Sequence, residues 1–204
     1  MTSPIKAIIF DFGGVLLEWN PRRLYHRFFP DQPEALENFL EEVNFAEWNE
    51  QQDKGRPFAQ GVAELTAQFP QHGHLIRAYH EYWEDSIAGP IQGTVQIASR
   101  LKQKGFRLYG LSNWSAETYP LVRDKYEFFD LFDDIILSGE VGLIKPDPEI
   151  FKVALKRIGR PASDCLLIDD ALPNIEQANK MGFAAIHFES PAQLQEELRQ
   201  RRLI

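Results

Sequence analysis

The chain has 204 residues, of which 44% are hydrophobic, 25% charged and 12% aromatic. That length and mixture fit one globular domain, or one domain carrying a large insertion, and exclude disordered and fibrous chains. The formal net charge of −8 argues against an extended surface for nucleic acid or anionic membrane, although one local cationic pocket would still admit a small anionic substrate.

Taken in chain order, Met1 to Lys6 lead into a short apolar run broken by Asp11, too short for a signal-peptide core. No stretch approaches the ~18 to 20 apolar residues of a membrane span. The single cysteine, Cys165, cannot close an internal disulfide and reads as core at the start of a buried strand, so a cytoplasmic, reducing location is expected.

Ala7-Ile8-Ile9-Phe10 is continuously apolar and stops at Asp11-Phe12-Gly13-Gly14, as does a strand buried on both faces that exits into a turn. The same pattern returns in Arg107–Leu111 before Ser112-Asn113, in Ile135–Leu137 before Ser138-Gly139, and in Cys165–Ile168 before Asp169-Asp170. A fifth run, Ala184–Phe188, closes the series. Between the runs lie helix patterns, at about Thr94–Lys104, from Pro148 to a stop at Gly159, at about Asn174–Met181, and from Ser190-Pro191 onward. Alternating strands and helices imply an α/β fold with a doubly wound parallel sheet whose ligands gather at the carboxyl ends of the strands. Residues 17–87 break this pattern, with helical patches, four of the five histidines and three of the four tryptophans. They read as an inserted helical cap, leaving residues 1–16 and 88–204 as the core. Trp19 reads either as part of the cap's own core or as a wall of the substrate pocket.

The polar residues after the strands form one constellation. Asp11 and the Asp169-Asp170 pair could hold a hard divalent cation through oxygen atoms. Lys145, in Lys145-Pro146-Asp147-Pro148, and the Ser112 hydroxyl could hold phosphate oxygens. Any one of these has an ordinary structural reading, as an N-cap, a strand-exit turn or a solvated cation. The acidic pair is harder to dismiss, because adjacent carboxylates at a buried strand end repel unless a cation or donors compensate.

In order and local sequence these motifs resemble the haloacid dehalogenase (HAD) superfamily, in the phosphatase subclass with a helical cap after the first motif. The likeness rests on Phe10-Asp11-Phe12-Gly13-Gly14-Val15-Leu16, Leu111-Ser112-Asn113, Lys145-Pro146-Asp147-Pro148 and Ile168-Asp169-Asp170 with Asn174 beyond. It implies a Mg²⁺-dependent phosphatase acting on a small phosphorylated metabolite, usually as a monomer. Asp11 would be the nucleophile that becomes an aspartyl-phosphate. Mg²⁺ would be held by Asp11, the Gly13 carbonyl, Asp170 and, directly or through water, Asp169. Gly14, Ser112, Asn113 and Lys145 would contact phosphate or substrate, as would Glu18 and Arg22 near the start of the cap.

One departure matters. The family's phosphatases carry a second aspartate two residues after the nucleophile as general acid, and here that position is Gly13. The leaving oxygen would then take its proton from a cap histidine, Glu18 or water. The Asp11-Phe12-Gly13-Gly14-Val15 stretch is similar to the branch of α-D-glucose-1-phosphate phosphatases, which implies a sugar phosphate. The alternatives are an L-2-haloacid dehalogenase, opposed by Asp169-Asp170; a receiver-type phosphoacceptor, opposed by motif order; and a HAD-like binding protein without catalysis.

Overall fold

The computed structural model describes residues 5–204. Met1–Pro4, part of the stretch read above for a signal sequence and of the expected 1–16 core segment, lie outside the described residues. Strand β1 (Ala7–Phe10) is followed by β2 (Leu17–Trp19). Five α-helices come next, α1 (Pro21–Tyr25), α2 (Pro33–Glu42), α3 (Phe45–Asp53), α4 (Phe58–Gln68) and α5 (Gly73–Glu81), and then β3 (Ile87–Pro90). The remainder alternates through α6 (Gln92–Gln103), β4 (Arg107–Ser112), α7 (Tyr119–Arg123), β5 (Asp134–Leu137), α8 (Ser138–Val141), α9 (Pro148–Ile158), β6 (Cys165–Asp169), α10 (Leu172–Lys180), β7 (Ala184–His187) and α11 (Pro191–Gln200).

The central sheet has the order β5-β4-β1-β6-β7 with every pairing parallel. This is the doubly wound sheet expected from the sequence, and β1 runs through its middle with all four residues fully buried. The reason for its unbroken apolar run is that both faces are covered. Ile8 and Phe10 pack with Ile97 and Leu101 of α6 and with Leu194 and Leu198 of α11. Ala7 and Ile9 pack on the opposite face with Ile150, Phe151 and Ala154 of α9 and with Ile175 and Ala178 of α10. The helix boundaries carry the expected caps. The Asp147 side chain accepts from the Glu149 N–H at 2.9 Å, Ser190 accepts from Gln193 at 3.2 Å, and Gly159 ends α9 in the left-handed region at φ 68°. Strands β4 and β6 each extend one residue beyond their apolar runs, so Ser112 and Asp169 are strand residues rather than the first residues of loops.

The segment between β1 and α6 is helical, as read from its sequence, but it enters and leaves through a two-stranded antiparallel ribbon, β2 against β3. The short strands are partly exposed and gave no apolar run to read, and the expected limit at residue 87 falls inside the ribbon. The helices enclose a largely aromatic core. Phe45 and Tyr79 have ring centroids 4.8 Å apart, Tyr25 and Phe39 are at 5.1 Å, and Trp48 Nε1 donates to the Gly61 carbonyl at 2.9 Å. Trp48 and Trp83 are buried, whereas Trp19 is 38% exposed and does not belong to that core. Among the described residues no helix is long and apolar enough to cross a membrane.

One glycine in the sheet makes room for the loop that follows β1. Phe12, fully buried, stands edge-on to Phe129 and Phe132 with centroids 5.2 Å away, and its ring covers Gly110 of β4. A Cβ on Gly110 would lie 2.4 Å from Phe12 Cζ. Neither the ring nor the central strand can retreat, so Gly110→Ala should destabilise the protein by about 1–3 kcal/mol through overpacking. At roughly 2–4 °C per kcal/mol for a chain of this size, calorimetry should read a clear drop in melting temperature. An unchanged melting temperature would show that the Phe12 pocket is loose.

Candidate active site

Asp11 follows β1 directly, and its main-chain N–H donates to the Ile168 carbonyl at 2.9 Å, which holds it at the sheet's carboxyl edge. Its Oδ1 accepts from the Phe12 N–H at 2.7 Å and from Ser112 Oγ at 2.8 Å. Its Oδ2 lies 2.9 Å from Lys145 Nζ. The same ammonium is 2.6 Å from Asp169 Oδ2, and the Lys145 and Asp169 side chains are completely buried. Asp169 Oδ1 in turn accepts from the Ala171 N–H and from Asn174 Nδ2, each at 2.9 Å. Neighbouring strand ends and the loop before α9 thus bring together Asp11, Ser112, Lys145 and Asp169, four of the residues the motifs single out.

The electrostatics follow from burial. Leaving water pushes the Asp11 carboxyl up to about 6. Lys145 opposes this rise, and the nearby Asp169 and Asp170 carboxylates add to it. Burial works against the Lys145 charge, but Asp11 and Asp169 outweigh it and its pKa is raised. Burial and the Asp169 charge raise Asp170 as well. Oxygens of Asp11, Asp169 and Asp170 lie within 4.8 Å of one another. Three carboxylates around one ammonium leave two negative charges uncompensated when all are ionised. The donor set is all oxygen, so the residues fit a hard divalent cation such as Mg²⁺. Gly14 allows this crowding. It sits at φ 73°, and a Cβ there would fall 2.1 Å from Asp170 Oδ2.

Several expected contacts differ in detail. The Gly14 N–H donates to the Leu17 carbonyl at 2.9 Å, so this amide is engaged in the turn and not held ready for phosphate. The Asn113 side chain clamps the Lys145 main chain, donating to its carbonyl at 3.0 Å and accepting from its N–H at 2.8 Å. Its amide therefore fixes the lysine loop, while the residue also lines the cavity. Arg22 is held by Glu37 in a two-pronged ion pair at 2.6 Å and lines the outer part of the cleft rather than the neighbourhood of Asp11. Glu18 is exposed and absent from the cleft wall. Its neighbours Leu17 and Trp19 line the wall, so the alternation of β2 turns Glu18 away. No histidine lines the cavity beside Asp11; His72 pairs with Glu42, and His80 stacks on Phe58. The proposed substitute acids Glu18 and the cap histidines are thereby removed from the site.

A cavity of about 80 Å³ opens against Gly13, Ser112 and Asn113. Its walls are Leu17, Trp19, Tyr79, Trp83, Ile87 and Trp114, with Asn49 and Asp53 as the polar residues contributed by the helical segment. The volume is well below the ~300–1,000 Å³ of a typical whole-ligand pocket. A wider cleft shares Trp19, Asn49, Asp53 and Asn113 with it and continues outward past Arg22 and Glu37. Trp19 is therefore a pocket wall. Asp53 was not singled out from the sequence, where it is one acid in a polar helix. Burial pushes its carboxyl up to about 8, the Glu50 and Asp11 charges add to this, and a main-chain hydrogen bond from Ser115 works the other way.

Ionising Asp11 costs stability. Its folded carboxyl titrates near 6 against an ordinary 3.8, so the native state keeps a proton that the unfolded chain has lost, and stability falls as pH rises through 6. Asp11→Asn removes this cost. The metal-free variant should exceed the wild type by about 1–3 kcal/mol near pH 8 and by little near pH 4, as read from urea unfolding. An equal difference at both pH values would contradict the buried, charge-crowded carboxyl.

Comparisons with known proteins agree with this geometry. The family model described as haloacid dehalogenase-like hydrolase matches residues 5–182. A sesquiterpene phosphatase, astK, of Aspergillus oryzae is 29% identical over 201 residues, covering 98% of each chain. A D-ribitol-5-phosphate phosphatase of Bacteroides thetaiotaomicron is 24% identical over 211 residues, with 95% of this chain and 97% of its own covered. Among solved structures, a HAD family enzyme of Bacteroides thetaiotaomicron in its magnesium complex has the same fold, with a TM-score of 0.75 and 21% identity over 97% of this chain and all of its own. Strand ends carry three of the four motifs and the loop before α9 carries the other, and the family match spans most of the chain: the protein belongs to the haloacid dehalogenase-like hydrolases and is an enzyme of the hydrolase class.

Proposed function

We propose that the protein is a Mg²⁺-dependent phosphatase that cleaves a small organic phosphate monoester through an aspartyl-phosphate on Asp11. The observation that carries this reading is the Lys145 ammonium held at 2.9 Å from Asp11 and 2.6 Å from Asp169, beside a third carboxylate. A dianionic phosphate repels a carboxylate nucleophile, so attack requires neutralisation and in-line positioning. Mg²⁺ would supply charge neutralisation at the phosphate, held by Asp11, Asp170 and the Gly13 carbonyl. Asp169 has both oxygens engaged with Lys145, the Ala171 N–H and Asn174, which suits it to orienting the lysine and to reaching the cation through water.

The chain's own residues then divide the work. Ser112 holds Asp11 Oδ1 in hydrogen bond, leaving the Oδ2 side of the carboxylate with Lys145. Asn113 keeps Lys145 in register. Residues 17–90, with the ribbon at their root and the aromatic cavity beneath, would act as the cap that receives the leaving group and excludes water.

For the leaving group, the Asp11-Phe12-Gly13-Gly14-Val15 motif and the ribitol-5-phosphate phosphatase among the relatives support a sugar or polyol phosphate. The three tryptophans around the cavity, with a sesquiterpene phosphatase related over the full length, support a second reading, a phosphate of an apolar alcohol. The acidic pair at 169–170 opposes the dehalogenase alternative, because it would repel a haloacid carboxylate unless a cation were bound.

Phosphate release from a panel of sugar, polyol and isoprenoid monophosphates tests the reading. Release should need Mg²⁺, stop in EDTA, and fall by about 10³-fold or more in Asp11→Asn. Chloride release from 2-chloropropionate in EDTA, or turnover of neither class, would overturn it in favour of dehalogenation or of a binding protein. Asn113→Ala should lower kcat by about 10²-fold, with melting temperature little changed, because it loosens the Lys145 loop by a fraction of an ångström to an ångström. Wild-type kcat in that variant would remove Asn113 from the positioning machinery.

A further inference from the structure

Gly13 leaves the phosphatase reading without a group to protonate the departing oxygen. Asp53 stands at the right place. It is the last residue of α3, and the contacts of its backbone belong to the core: Ser138 Oγ donates to its carbonyl and accepts from the Trp114 N–H at 2.8 Å. Two residues on, Gly55 takes φ 104°, and a Cβ there would lie 3.0 Å from the Gly139 carbonyl. These contacts fasten the end of α3 to the loops that leave β4 and β5, on the same sheet edge as Asp11. The side chain is fixed as well. Asn49 Nδ2 donates to Asp53 Oδ2 at 2.8 Å, and Asn49 Oδ1 accepts from the Tyr79 hydroxyl at 2.9 Å within the aromatic core. Asp53 lines the cavity together with Gly13, Ser112 and Asn113. The space a side chain on Gly13 would occupy is open, since an added Cβ there meets nothing within 4 Å.

We propose that Asp53, reaching from the helical segment, is the general acid that protonates the leaving oxygen and then the general base for the hydrolytic water. The inference rests on the phosphatase reading. As the Asp11 carboxylate forms its bond to phosphorus, the bond from phosphorus to the leaving oxygen breaks and its electron pair stays on that oxygen. The Asp53 proton goes there too, giving a neutral alcohol, an aspartyl-phosphate and an Asp53 carboxylate. Water then attacks the phosphorus, its proton passes to Asp53, and Asp11 leaves as a carboxylate with inorganic phosphate released. The groups around Asp53 favour the protonated starting form. Burial, Glu50 on its own helix and Asp11 on the core raise its pKa, while the Ser115 main chain lowers it. Tyr79, from α5, is neutral at working pH because burial lifts its pKa well above the ordinary value. The carboxyl also ends a helix, where the dipole disfavours negative charge.

The test uses a series of aryl phosphates of one shape, from 4-nitrophenyl phosphate, whose leaving group needs no proton, to phenyl phosphate, whose leaving group does. Asp53→Asn keeps size and the bond to Asn49. It should cut kcat on phenyl phosphate by about 10²-fold or more, and on 4-nitrophenyl phosphate by less than about threefold. Gly13→Asp added to Asp53→Asn should recover much of the phenyl phosphate rate, because it installs a carboxyl in the open space. An equal loss on both esters, or no loss on either, overturns the assignment. Should Asp53→Asn fail to fold, the wild type alone decides: a shallow fall of rate along the series supports an acid, and a steep one overturns it. A wild type that releases phosphate from neither ester nor from the metabolite panel overturns the phosphatase reading, and this inference with it.

Discussion

The fully buried ammonium of Lys145, shared between Asp11 and Asp169, is the interaction on which the rest of the site depends. An ammonium taken out of water is costly unless partners compensate, and here two carboxylates do so from neighbouring strands. Asp169, completely buried with the lysine, balances its charge, and Asp11 brings a second carboxylate to the same ammonium. With the third, at Asp170, the ionised carboxylates exceed the lysine by two charges, which is the condition for holding a divalent cation. The parallel sheet makes the trio possible. Asp11 and Asp169 end adjacent central strands, while Asn113, just beyond β4, grips the Lys145 loop by its main chain.

The same sheet edge explains how a chain with net charge −8 can belong to a family whose relatives here include enzymes named as phosphatases. The charge is not spread evenly over the chemistry. Three of the acidic residues converge on one point where a cation would reverse their effect, and the groups beside them are a lysine, a serine and an apolar wall. Burial raises two carboxyls with different surroundings. It lifts Asp11, whose ionised form needs Lys145 and a metal, and it lifts Asp53, which touches neither.

The sheet was legible in the sequence because strands buried on both faces leave continuous apolar runs, and the polar residues that stop them stand at one edge. Asp11, Ser112 and Asp169 were legible for the same reason, whereas Lys145 and Asn174, which stop no strand, stood out through the family-like motifs. Other features were not. The β2–β3 ribbon is too short and too exposed to leave a periodic signal. Glu18 looked well placed because it is near Asp11 in sequence, but strand alternation turns it outward. Gly14 and Asn113 were read by type as phosphate contacts, whereas the Gly14 amide bonds Leu17 and the Asn113 side chain, beside the cavity, also clamps Lys145. Asp53 was invisible because what distinguishes it is its packing against Ser138 and its opening into the cavity, neither of which leaves a mark in the local sequence. The Asn49-to-Asp53 spacing of four in a cap helix is the one signal that would have pointed to it.

A phosphoryl transfer with Asp11 as nucleophile leaves the phosphoryl group on the Asp11 carboxylate between the two half-reactions. Quenching the enzyme in acid during turnover of a phosphate ester, followed by peptide mass spectrometry, addresses it directly. The expected result is a phosphoryl group on the peptide that contains Asp11, acid-stable enough to detect and lost on treatment with base. A phosphoryl group on any other residue, or steady turnover with none on Asp11, would contradict it.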